Sequence, residues 1–287
     1  MDTQDIELAG TRRAREADTL REPIGAWVEG AIASASNNES LQRRLDSIAS
    51  DGALLRFLHR FVLFNDALAA RVPFLVGLIH LTPNLFVDPQ ADEDFCRQSN
   101  GRVAAYVAKA ANDEYSTQDG SNLVHQYLSQ MFFRGVLGHY AIDGRDFNRQ
   151  FPVPARLSAL LDEARGTFFL ERGPEQIFCA LGFHVGLEFF AHKEFNLVDA
   201  YLRTRHRSLV TSLERDGGAG AAYQWLAIHT VVEIAHYRAG LEALDAAVAY
   251  YYDRDRAPHM RSRIEDGFAA FVDLQHRYYR AILCDLE

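Results

Sequence analysis

Between Ala221 and Tyr252 the chain is largely apolar and free of proline, yet it carries His229, Glu233 and His236 at positions i, i+4 and i+7. On a helix that spacing puts all three side chains on one face. If the face is buried, two imidazoles and a carboxylate enter a core, which is costly unless they are bound to something. A chain with 11 His and 39 Asp plus Glu would produce His-x3-(Asp/Glu)-x2-His only about 0.06 times by chance, counting matches to the template. The pattern points to a metal site.

With 287 residues, 48% of them hydrophobic, the chain can bury a full core as one large domain, or as one domain with an appendage. A formal charge of -9 with interspersed signs argues against a nucleic-acid partner, which favours a basic face. The opening Met1–Glu7 is acidic and lacks an apolar run, so no secretory signal is expected. Apolar stretches such as Phe74–Leu81 are too short to span a bilayer, and no membrane partner is expected. Cys96, Cys179 and Cys284 are widely spaced and form no Cys-x-x-Cys pair. That usage suits a reducing cytoplasm and supports neither a disulfide framework nor a zinc ribbon.

Apolar residues recur at three- and four-residue spacing and no period-two run stands out, so the prediction is all-α. Helices are expected at 23–34, 39–49, 53–82, 98–114, 121–138, 154–165, 174–205, 219–252 and 257–284, after a frayed, charged start over 1–21. Pro73 should kink the third. Gly173-Pro174 starts a helix with proline in its first turn, Asp216-Gly217-Gly218 breaks the chain, and Ala257-Pro258 restarts it. No repeat, low-complexity tract or long linker is visible.

One helix cannot complete a dinuclear site, so other acidic and imidazole groups on apolar helical faces become candidates. Glu188 sits among Val185, Leu187, Phe189 and Phe190, where an ionised carboxylate needs a cation or hydrogen bonds. The alternative is a Glu188 that reaches a rim and pairs with Lys193 or Arg203. Across the polar turn Ser116–Asn122, Glu114 ends one helix and His125 begins the next, so two antiparallel helices could present both at one level. Taken alone, a solvated helix end with a capping Asp and a surface His explains that pair better. Glu114, His125, Glu188, His229, Glu233 and His236 together offer carboxylates and imidazoles without thiolates, a donor set suited to iron or manganese.

On these residues the chain resembles the haem-oxygenase-like diiron oxidases and oxygenases, which share the bundle of haem oxygenase and the TenA thiaminases without using haem. The resemblance covers about residues 50–255. It rests on Asp113-Glu114-Tyr115 through His125, on Gly182-Phe183-His184 through Glu188 followed by Ala191–Asn196, and on His229, Glu233 and His236. Two departures are present. Glu233 stands where the family often has Asp, and the turn Ser116-Thr-Gln-Asp-Gly-Ser lacks the family's Gly-x-Gly-Asp-Pro flavour, which leaves Asp113 as an alternative ligand to Glu114.

The resemblance implies a haem-oxygenase-like helical bundle of about seven core helices over 51–287, preceded by an N-terminal helical extension over 1–50. It implies two iron ions, O2 as co-substrate, an external electron donor, and a homodimer by analogy with relatives. The implied activity is oxidation of a small-molecule substrate, foremost N-oxygenation of an amine or amino-acid-derived compound in a biosynthetic pathway. Desaturation and oxidative C–C cleavage or decarboxylation are the alternatives.

Other residues carry weaker signals. His184 and His192 lie one turn before and after Glu188, where orienting Glu188 or meeting substrate is a more natural role than metal ligation. Tyr115, Tyr237 and Arg238 flank the ligand candidates and could meet a substrate carboxylate, while both tyrosines could equally serve packing. Asp273 and His276 accompany Arg277 and Arg280 on an amphipathic helix, which reads as a solvated face. Cys179 lies in an apolar run and reads as a small hydrophobe. A ferritin-like carboxylate protein would need two Glu-x-x-His motifs, and Glu233–His236 is the one in the chain. A metal-free TenA-like hydrolase would need an activated Cys179, and a non-catalytic binding bundle would leave three matching motifs without a purpose.

Overall fold

The computed structural model describes residues 26–28, 30–31, 37–91, 98–115, 124–166, 173–215 and 222–282. Among them it is an all-helical bundle of eleven α-helices with one short 3-10 turn. In chain order these are α1 (Asn37–Asp46), α2 (Asp51–Ala69), α3 (Arg71–Leu81), α4 (Asn100–Tyr115), α5 (His125–His139) and α6 (Gly144–Gln150). They continue as α7 (Ala155–Gly166), α8 (Pro174–Arg205), α9 (Arg207–Arg215), α10 (Gln224–Tyr250) and α11 (Ala257–Ile282). Two isolated bridges, Phe86 with Tyr251 and Val87 with Gln98, pin the loop after α3.

Local chemistry explains most boundaries. The Ser50 hydroxyl accepts from the Ala53 amide and caps α2, and the Asp143 carboxylate does the same for α6, each satisfying donors that a helix start leaves open. Gly173 in extended conformation followed by Pro174 starts α8 as expected. The continuous helix expected over 53–82 is instead two, parted at Ala70. Pro73 then sits in the first turn of α3, where its missing N–H costs nothing. The short helices α6 and α9 fall in stretches read as connections. The expected helix at 23–34 lies largely outside the described residues.

The stretch 51–81 is long and apolar enough to cross a membrane by length and composition, contrary to the expectation from shorter apolar runs, and 56% of its apolar window is buried inside the bundle. A core helix meets the same criterion. Val28, Leu41 and Leu45 join the same hydrophobic core as α2, α8 and α11, and α1 packs on α8 and α11.

The 32-residue helix α8 is the axis of the bundle, lying against α11 on one side and α10 on the other. Glycine sets the first of these contacts. A Cβ on Gly182 would drive into the Ile264 carbonyl of α11, and one on Gly267 into the Cys179 carbonyl of α8. The two backbones therefore touch, and Phe183, Phe190, Phe268 and Phe271 close the seam around them. Gly267→Ala should destabilise by about 2 kcal/mol or more, since the helices must move apart. Gly77→Ala meets open space and should stabilise by about 0.5–1 kcal/mol through helix propensity. Urea unfolding of both variants checks the pair.

Candidate metal centre

Helix α10 is inverted relative to an ordinary surface helix. His229, Glu233 and His236 are buried, while Val231 and Ile234 on the opposite face are 69% and 37% exposed. The face that the spacing predicted is thus turned inward. On α8, Glu188 is buried as well, and the two helices press the four groups together.

Glu188, Glu233 and His236 each offer one donor atom, and these atoms all lie within 4.8 Å of one another. His236 Nδ1 stands 3.4 Å from Glu188 Oε2 and 3.6 Å from Glu233 Oε2. Its other nitrogen, Nε2, lies 2.7 Å from Asp113 Oδ2 of α4. The anionic partner fixes the ring so that Nδ1 faces the two glutamates. Asp113, weighed as a ligand, thus reaches the ligand cluster through His236. Glu114 and Tyr115 end α4, and their side chains lie outside the described residues.

A second group adjoins the first. Glu188 and Glu233, with His125 at the start of α5 and His229, line a cavity closed by Asn65 of α2 and Phe195 of α8. The His125 and His229 rings are 4.3 Å apart. His229 Nδ1 hydrogen-bonds to the Trp225 carbonyl, and its ring stacks on Phe195 at 4.2 Å. That leaves Nε2 directed toward Glu233 Oε1, 3.6 Å away. The cavity offers about 30 Å³ to the centre of a water-sized group, enough for one or two small ions or waters.

The electrostatics follow from burial and proximity. Burial opposes charge on Glu188, but His184 and His236 outweigh it and hold this carboxyl well below the usual range. Glu233, buried beside that anion, is pushed well above its usual value. His236 is penalised by burial yet raised by its contacts with both carboxyls. His229 is driven down by burial and by neighbouring His125, so it presents a neutral, metal-competent ring. Five nitrogen and oxygen donors with no sulfur fit a hard or borderline first-row cation.

The residues with weaker signals take separate places. His184 touches Glu188, with Nδ1 3.2 Å from Oε1. His192 faces outward and contacts Asn196. Arg238 is exposed, away from the cluster. Tyr237 packs against Phe189. Asp273 pairs with Arg277 on an exposed face, and His276 is exposed. Cys179 is buried, and burial pushes its thiol up rather than activating it. Asn65 and the Trp225 carbonyl carried no sequence signal, because only the fold brings one to the cavity and the other to His229.

No family model, curated protein or solved structure matches this chain. The resemblance drawn from the sequence therefore rests on its motifs alone.

One buried carboxyl lies outside the cluster. Glu194 of α8 accepts hydrogen bonds from Tyr279 and Gln275 of α11, and burial raises it to about 7. A carboxyl raised in the folded state binds its proton more tightly there than in the unfolded chain. Its contribution therefore falls as pH rises from about 4.5 to about 7, by about 3 kcal/mol in all. Glu194→Gln keeps both hydrogen bonds without the charge. Its stability should gain on the unaltered protein by that amount between pH 4.5 and pH 8, as measured by urea unfolding at each pH.

Proposed function

We propose that this chain is a non-haem diiron oxygenase or oxidase on a haem-oxygenase-like bundle, using dioxygen to oxidise a small organic molecule. The observation that carries the reading is that Glu188 and Glu233 are shared between His236 on one side and the cavity lined by His125 and His229 on the other. His125, Glu188, His229, Glu233 and His236 would hold the irons. Glu114 is placed by sequence as the sixth ligand. Bound there, the iron pair supplies electrons for the reduction of dioxygen, with an external donor restoring them.

The chain's own residues do the rest. Asp113 and the Trp225 carbonyl orient the two imidazoles. Phe195 and Trp225 shield His229, and the buried helical walls exclude water, which strengthens every charge interaction inside. N-oxygenation of an amine or amino-acid-derived substrate is the reaction we favour, in a cytoplasmic biosynthetic setting. The metal-free hydrolase reading loses its nucleophile, since the Cys179 thiol is buried and pushed up.

Anaerobic loading with Fe(II), followed by metal counting and a dioxygen-uptake measurement, tests the proposal. About two irons per chain and oxygen consumption that depends on them are expected. His229→Ala and Glu188→Ala should lose iron while far-ultraviolet circular dichroism stays helical. If iron does not bind, or binds unchanged in both variants, the reading is wrong. Asp113→Asn keeps the shape but removes the anion behind His236, and should weaken iron binding about 10- to 100-fold, read by competition with a chelating dye.

A further inference from the structure

Trp225 meets the cluster twice. Its carbonyl hydrogen-bonds to His229, and its indole lies 5.6 Å from the His229 ring and 6.0 Å from that of His125, between centroids. The side chain is fully buried, yet its Nε1–H has no hydrogen-bond partner among the described residues. A buried indole ordinarily finds one.

A second oxidisable ring stands two positions away. Tyr223 occupies the N-cap of α10, and Phe132 of α5 bridges the two rings, 5.3 Å from Trp225 and 6.4 Å from Tyr223. Unlike the indole, the phenol has an acceptor, since Tyr223 Oη donates to Asp199 Oδ1 at 2.7 Å. Asp199 pairs in turn with Arg203, and their side chains are 20% and 45% exposed, so this end of the series reaches solvent. The Arg203 guanidinium also lies 4.7 Å from the centre of the Tyr223 ring, over its face, which disfavours positive charge on that ring. Burial and the Asp199 anion push the phenol up, so it holds its proton until it is oxidised.

We propose that Trp225 and Tyr223 form a discharge path, through which an oxidised metal centre without substrate is quenched by electrons drawn from the surface at Asp199. The proposal rests on the diiron reading, which supplies the oxidant. Trp225 gives up one electron and becomes an indole radical cation, which keeps its N–H proton because no acceptor stands beside it. Tyr223 then passes one electron to Trp225 and its phenolic proton to Asp199. The phenol O–H bond breaks, a carboxylic O–H bond forms, and the indole is restored. An external one-electron reductant reduces the Tyr223 phenoxyl at the Asp199 edge, and Asp199 hands the proton back. Each passage moves one electron inward and no net proton. Only a strong oxidant takes an electron from an indole or a phenol, so the path does not compete with ordinary supply of electrons to the site. What it spares from oxidation is the pair of imidazoles that Trp225 touches, His125 and His229.

Photochemistry of the metal-free full chain tests the path without iron. In a Trp27→Phe background Trp225 is the sole tryptophan, and light that tryptophan absorbs and tyrosine does not drives its electron to a soluble acceptor. The indole radical should decay as a phenoxyl radical appears. Tyr223→Phe should remove the phenoxyl signal and prolong the indole radical about tenfold or more, and Asp199→Asn should slow the transfer. Phenoxyl formation at an unchanged rate in Tyr223→Phe overturns the proposal. The iron-loaded protein is then given dioxygen without substrate and frozen for electron paramagnetic resonance. A phenoxyl radical is expected, absent from Tyr223→Phe at equal iron content, and peptide masses should show His125 or His229 gaining oxygen in that variant. Equal radical yield and equal ligand oxidation with and without Tyr223 would remove the discharge role. Light-driven transfer in a protein that takes up no iron would retain the path and remove the diiron reading. Two irons per chain without light-driven transfer would do the reverse.

Discussion

The structure turns on two carboxyl groups, Glu188 and Glu233, pressed together inside the bundle by α8 and α10. Each buried ion costs several kcal/mol even after relaxation, so such a pair cannot persist without compensation. The compensation is visible atom by atom. His184 and His236 hold Glu188 in its charged form, burial and then the Glu188 anion keep Glu233 from ionising, and Asp113 balances the far side of His236. The arrangement is close to neutral as a whole. It still leaves a concentration of donor atoms far beyond what stability alone would select, and hydrophobic residues of the same volume would serve the core at least as well.

That pair can exist only because α8 is held rigidly on both sides. Its contact with α11 is set by Gly182 and Gly267, where a single methyl group would force the backbones apart. A helix gripped at this distance cannot easily rotate to release Glu188 into solvent. The opposite side of α8 then has one register against α10, and that register puts His236 Nδ1 between the two glutamates. Positioning of the site is therefore distributed. Glycines remote from the cluster fix a helix, and the helix fixes the carboxylate.

The sequence made the local elements and the α10 ligands legible, because helical periodicity is a short-range property and three polar groups in an apolar helix announce themselves. The start of α8 at Pro174 and the buried face of His229, Glu233 and His236 are of this kind. Glu188 could be singled out for the same reason, as an acid in aromatic surroundings. What remained hidden was long-range pairing. Asp113 and His236 are 123 positions apart, and nothing in either segment says that the Asp113 carboxylate meets an imidazole. Nor could spacing alone reveal that Arg238 is exposed, or that His192, one turn from Glu188 and near its face, contacts Asn196 instead of the cluster.

Two cavities adjoin α8, the one at the glutamates and a second between α3 and α8, a division that neither motif nor composition expresses. One is lined by ionisable groups and matches small ions or waters, whereas the described lining of the other is apolar apart from Arg71 and His184. Leu187 separates them, and its neighbour Glu188 is the ligand nearest the partition.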